Sequence, residues 1–88
     1  SGKKWEEKRI NKNLTEKLAM EEIMSNPMRG KIIKLEKGMT DIRWPKEEGW
    51  VKMSYHNSDF NIEIHYVGKW ENNVLKAVDD FKFKDRIK

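Results

Sequence analysis

Few residues in this chain can move a proton near neutral pH, and the best placed of them is His65. It lies in residues 62–84, which read IEIHYVGKWENNVLKAVDDFKFK. Histidine is the side chain whose ordinary pKa lies closest to neutrality. The run 62–67 alternates, so Ile62, Ile64 and Tyr66 fall on one face and Glu63, His65 and Val67 on the other. A second alternating run, AVDDFKF, sets Asp80, Lys82 and Lys84 on a shared side. Lys52, from a third alternating run at 50–55, can join them. Together these residues meet the needs of metal-free RNA cleavage. A base takes the 2′-hydroxyl proton, an acid protonates the leaving 5′-oxygen, and cations stabilise the charge on phosphorus. Strict alternation gives Asp79 the parity of Phe81 and Phe83. Its carboxylate would then face an apolar environment, which is costly unless it is paired, and such groups are either structural caps or functional groups with shifted pKa. A bulge at Asp79-Asp80 would change that register. A second reading stands beside the catalytic one: His65 as a half-exposed partner across a sheet, and Asp80, Lys82 and Lys84 as the charged outside of an edge strand.

Composition narrows the alternatives. The 88 residues carry 36% hydrophobic and 39% charged side chains, a polar balance at which disorder is conceivable. Four Trp, three Phe and two Tyr argue for a packed core, since each aromatic buries ~150–250 Å². One small domain is expected, 13–88, after a basic arm or linker at 1–12. The net charge of +4 and the pI of 9.3 favour a polyanionic partner such as RNA, or an acidic protein. There is no cysteine, so disulfides, zinc-thiolate sites and cysteine nucleophiles are excluded. His56 and His65 are nine residues apart and form no HExxH spacing, and no GxGxxG, P-loop or GxSxG occurs. Neither a metal nor a cofactor is therefore expected. No apolar run reaches membrane-spanning length, so no membrane anchor is expected.

The elements that must position these residues can be read in order. Asn13 and Glu16 sit at capping-box spacing ahead of a helix over 13–26, which Pro27 ends. Ala19, Met20, Ile23 and Met24 form its apolar side, flanked by Leu14 and Leu18. A short strand is predicted at 31–35, then a loop over 39–49 anchored by Trp44. The run 50–55 places Val51, Met53 and Tyr55 on one face and Trp50, Lys52 and Ser54 on the other. His56 falls in a predicted turn at 56–59. After the strand 62–67 comes a loop over 68–73, then a last strand over 75–83. The expected fold is α+β, an N-terminal helix packed on a twisted antiparallel sheet of four or five strands.

Four ordered segments carry a resemblance: LAMEEIMSNP (18–27), MTDIRWPKEEGWVKM (39–53), IEIHYV (62–67) and AVDDFKFKD (77–85). Together they resemble the C-terminal toxin modules of bacterial polymorphic toxins, the interchangeable ends of contact-dependent inhibition, haemagglutinin-repeat and Rhs-type effectors. The resemblance covers about residues 14–85 and implies a ribonuclease similar to the barnase, EndoU, colicin and RelE group, in particular the ribosome-cleaving colicin nucleases. It makes His65, Asp79, Asp80, Lys82 and Lys84 the first catalytic candidates. Asp41, Arg43 and Lys52 form a second tier, with Glu63 and Trp44 also expected to meet RNA. Either Asp79 or Asp80 would orient His65, and the lysines would hold phosphate. The segment 68–75 is longer than a plain hairpin of this pattern, which leaves the choice between the two aspartates open. The resemblance further implies ribosomal RNA as substrate, tRNA second, and an acidic cognate immunity protein. It also implies a monomer delivered on a larger secreted or surface effector into the target-cell cytoplasm. The alternatives are a non-catalytic RNA-binding module, stacking bases on Trp44, Tyr55 or Tyr66, and a small protein-interaction domain.

Overall fold

The structure, a computed structural model, describes residues 12–84. The expected basic arm lies outside the described residues except for Lys12. A helix, α1 (Lys12–Ser25), is followed by a 3-10 turn (Pro27–Arg29) and by four strands: β1 (Lys31–Ile33), β2 (Trp50–Asn57), β3 (Ile62–Glu71) and β4 (Val74–Phe83). The strands form one antiparallel sheet in the order β1-β2-β3-β4. This is the expected α+β architecture, with four strands.

The helix is built from strong helix formers and stops where Pro27 forbids its continuation. Lys12 is already helical, so Asn13 lies within the helix and is not its cap. Only a narrow stripe meets the sheet: Ala19 and Ile23 are fully buried and Met20 packs at the edge, while Leu14, Leu18 and Met24 are exposed. A small sheet covers one stripe of a helix, so the broad apolar side read from the sequence is wider than the contact.

Under the helix lie Met53, Tyr55, Ile64 and Tyr66, each at most 6% exposed. Full burial of an aliphatic side chain such as Ile23 or Ile64 stabilises by ~1.5–3 kcal/mol. Tyr66 is central. Its ring stacks on Phe81 with centroids 4.7 Å apart, and its hydroxyl donates to the Pro27 carbonyl at 2.5 Å. That contact requires Gly30, where a Cβ would stand 1.9 Å from the Tyr66 hydroxyl oxygen. With Tyr55 and Tyr66 buried in this core, neither ring is available for stacking on a base.

The hairpin between β3 and β4 differs from the sequence reading. The strands continue to Glu71 and from Val74, so the turn is only Asn72-Asn73. Both residues have positive φ (52° and 66°), the geometry of a two-residue hairpin turn that Asn tolerates. The long loop expected over 68–75 is therefore absent. β4 carries two irregularities. Val67 pairs with Asp79 and His65 with Lys82, so Asp80 and Phe81 together oppose Tyr66. Lys69 pairs with Ala77 and Trp70 with Leu75, which leaves Lys76 over. Each extra residue reverses the strand's parity. The helix-side residues become Leu75, Val78, Phe81 and Phe83, replacing the strict odd positions. Asp79 moves to the opposite face, beside Val67, and does not share the side of Phe81 and Phe83.

Glu22 fastens the helix to the sheet end. Its carboxylate accepts from the Tyr55 hydroxyl, from Asn57 Nδ2 (2.9 Å) and from Arg29, whose guanidinium also lies over the Tyr55 ring. The Tyr55 hydrogen bond, then that of Arg29, hold Glu22 below the ordinary glutamate value of 4.5. A carboxyl with a lowered folded pKa contributes stability above its unfolded value and loses it as pH falls through the folded value. Glu22→Gln is therefore expected to lower stability in urea at pH 7. The gap to the wild type should close as pH falls below the ordinary glutamate value of 4.5 and through the lowered folded value, where the native carboxylate takes up its proton. A constant gap from pH 7 to pH 3 would show that the charge is not what fastens the helix.

Candidate active site

The helix covers one face of the sheet. The other face carries Lys52, Ser54 and His56 on β2, Glu63, His65 and Val67 on β3, and Asp79, Lys82 and Lys84 along β4 and its end. These positions follow from alternation on β2 and β3 and from the bulge on β4. The register sets Lys82 directly across from His65, and Ser54 across from it on the other side. The Lys84 amide donates to the Glu63 carbonyl at 2.9 Å, which brings Lys84 beside Glu63.

His65 and Glu63 form the centre of this face. His65 Nε2 lies 2.7 Å from Glu63 Oε2, and Ser54 Oγ donates to the same oxygen at 3.1 Å. The His65 side chain is only 15% exposed. The hydrogen bond from His65 holds the Glu63 carboxyl below its ordinary value, helped by Ser54 and by the charge of Lys84. An ionised carboxylate only accepts, so the proton of this contact sits on Nε2. Nδ1 is then the nitrogen that Glu63 does not engage. His56, read as a turn residue, instead belongs to β2; it stands across from Glu63 and its Nε2 lies 3.0 Å from Asn61 Oδ1.

The loop over 34–49 crosses one end of the same face, and the strand expected at 31–35 stops at Ile33 to begin it. Trp44 is its anchor, at 8% exposure. Its indole Nε1 donates to Asp79 Oδ2 at 3.2 Å, and the Arg43 guanidinium lies 4.2 Å from the ring centre. Arg43 is held in turn by Asp41, through Nε (3.1 Å), Nη2 (2.8 Å) and the backbone amide (2.9 Å). The side-chain hydrogen bonds from Arg43 bring the Asp41 carboxyl down to about 2. Between loop and sheet is a cleft of about 240 Å³, lined among others by Asp41, Arg43, Trp44, Lys52, Asp80 and Lys82. Lys82 Nζ lies 3.5 Å from Asp80 Oδ2. Lys52 is held below the ordinary lysine value, first by burial and then by the charge of Lys82, with Asp80 opposing.

The candidates thus separate into two neighbouring groups. His65, Glu63 and Lys84 lie on the open sheet, Lys52, Asp80, Arg43 and Trp44 surround the cleft, and Lys82 joins the groups. Asp79 stands apart from His65 in role: its two oxygens accept from Trp44 and from the Asp80 amide (2.7 Å), so it positions the loop. Trp44 is buried with Arg43 over its ring, the place of an anchor and not of a base-stacking platform. The orienting carboxylate for His65 is Glu63. Ser54 was not singled out from the sequence; its alternation with Lys52 is the only signal that it shares the face. Among the described residues no three His, Asp or Glu gather as a metal-binding group.

Removing Asp79 tests its positioning role. Asp79→Ala leaves the part-buried indole N–H without its acceptor, at an expected cost of about 1 kcal/mol in urea unfolding. In a Trp44→Phe background, which has no such donor, the same change should cost much less; equal costs in both backgrounds would remove the loop anchor. Compared with known proteins, the chain matches no protein-family model, no curated protein and no solved structure.

Proposed function

We propose that the open face is the active surface of a metal-independent endoribonuclease, an antibacterial toxin module. The observation that carries this reading is the His65–Glu63 contact of 2.7 Å with Lys82 directly across the sheet from His65. Glu63 keeps the Nε2 proton in place, so Nδ1 can take the proton of a ribose 2′-hydroxyl. The 2′-oxygen then bonds to phosphorus and the P–O5′ bond breaks. The imidazolium returns its proton to the departing 5′-oxygen, which leaves a 2′,3′-cyclic phosphate and a 5′-hydroxyl. Lys82 and Lys84, both on the β4 side of this pair, stabilise the charge that gathers on the phosphoryl oxygens. The same group can thus act as base and acid in turn, and no step needs a metal.

The resemblance to polymorphic-toxin modules supports ribosomal RNA as the preferred substrate, with tRNA second. It also supports delivery on a larger secreted or cell-surface effector and action in the target-cell cytoplasm. A basic domain of net charge +4 suits an acidic cognate immunity protein, since opposite charge speeds association. Among the described residues no helix is long and apolar enough to cross a membrane.

The test is incubation of the purified protein with ribosomes and with total tRNA in EDTA, beside His65→Ala and Glu63→Gln. The wild type is expected to make a discrete cut. His65→Ala should lose at least ~100-fold in turnover while RNA affinity is kept, the usual scale for a general acid–base group. Glu63→Gln should lose less, because the amide still accepts from Nε2–H but no longer stabilises the imidazolium. Intact RNA in every lane, with RNA bound equally by the wild type and His65→Ala, would replace this reading with a non-catalytic RNA-binding module.

A further inference from the structure

The cleft beside the His65 pair carries an arrangement that neither the fold nor the proton transfers require. Lys52 extends from β2 and Lys82 from β4, and their side chains meet in the cleft, whose lining includes Val67 of β3 but not His65. Two ammonium groups brought together in this way repel each other. Solvated lysines would swing apart. Here Lys52 is drawn partly out of water, and its amine is held low first by that burial and then by Lys82. Compensation is incomplete: Asp80 lies 3.5 Å from Lys82 Nζ, while Asp41 is committed to Arg43 by two side-chain hydrogen bonds and one backbone bond. The charged groups lining the cleft are three cations (Arg43, Lys52, Lys82) against two carboxylates (Asp41, Asp80). A third carboxylate beside the cleft, Asp79, is taken by Trp44 and faces Arg43, so the paired amines are left with Asp80 as their nearest carboxylate and are short of one anion.

We propose that this cleft is a second phosphate site beside the position where the proton transfers occur, sharing Lys82 with it, with one phosphate group bridging Lys52 and Lys82 and displacing the carboxylate of Asp80 from Lys82. Charge-assisted hydrogen bonds from both amines then replace a repulsive contact. Val67 and His65 are two residues apart on β3, about 7 Å along the strand, a step comparable to that between neighbouring phosphates of a nucleotide strand. If the ribonuclease reading holds, on which this clause rests, the cleft holds the phosphate next to the one that is cut, and the substrate must extend at least one nucleotide past the cut on that side.

Inorganic phosphate is the probe, followed through the lysine side-chain signals by NMR. Saturable shifts are expected at Lys52 and Lys82. Lys52→Met or Lys82→Met should each weaken binding by roughly tenfold or more, the worth of one charge-assisted hydrogen bond. Lys76→Met, on the far part of β4, should leave binding unchanged. Asp80→Asn should tighten binding, because the competing charge is gone, and Asn suits the positive φ at this position. A gain of affinity cannot come from misfolding. Shifts that do not saturate, wild-type affinity in either methionine variant, or weaker binding in Asp80→Asn would each overturn the site. The measurement needs no RNA. Phosphate binding without RNA cleavage would remove the ribonuclease and keep the site, and cleavage without phosphate binding here would do the reverse.

Discussion

Asp79 ties together the two irregular pieces of backbone on which the open face depends. One carboxylate oxygen accepts the Asp80 amide at 2.7 Å, inside the bulge of β4; the other accepts the Trp44 indole at 3.2 Å, inside the loop. The bulge puts Asp80 at φ 58°, in the left-handed region. That conformation costs a residue with a Cβ about 1–2 kcal/mol, least for Asp and Asn. The regular alternative is worse. An unbroken strand would turn either Asp79 toward the helix or Phe81 and Phe83 toward water, and a buried, unpaired carboxylate costs more than the strained residue. The bulge satisfies both sides at once: Phe81 stacks on Tyr66 in the core while Asp79 and Lys82 stand on the open face.

How much of this was legible follows from where each constraint lies in the chain. β2 and β3 are regular, so their alternation gave the correct face for Val51, Met53, Tyr55, Ile64 and Tyr66, and with them the shared side of Glu63 and His65. The helix end was readable because Pro27 acts on its own neighbours. β4 was not, because its helix-side residues Leu75, Val78, Phe81 and Phe83, the first three packed on the core, are spaced three, three and two apart. No fixed period describes a strand with two extra residues. The exposed positions Leu14, Leu18 and Met24 show the same limit in the helix: apolar spacing marks what could be buried, and the size of the sheet decides what is.

The site divides in the same way. The Glu63–His65 contact joins residues two apart on one strand, and its possibility was plain from alternation. The choice between Asp79 and Asp80 was not, since the partner of Asp79 is 35 residues away on a loop with no period at all. The loop also decides the fate of Trp44, which spends its ring on Arg43 and its N–H on Asp79. Its role is to shape a cleft next to His65, and the cations of that cleft are gathered from three separate segments: Arg43, Lys52 and Lys82.

These placements give the open face one coherent chemistry: a histidine oriented by a carboxylate, cations across the sheet from it, and a cleft with surplus positive charge alongside. The central claim is that this face breaks RNA through its own 2′-hydroxyl. The most direct test is the chemistry of the new ends after RNA is incubated with the protein in EDTA. Fragments ending in a 2′,3′-cyclic phosphate, each paired with a 5′-hydroxyl fragment, are the expected result. Ends carrying a 5′-phosphate and a free 3′-hydroxyl, or no new ends at all, would contradict it.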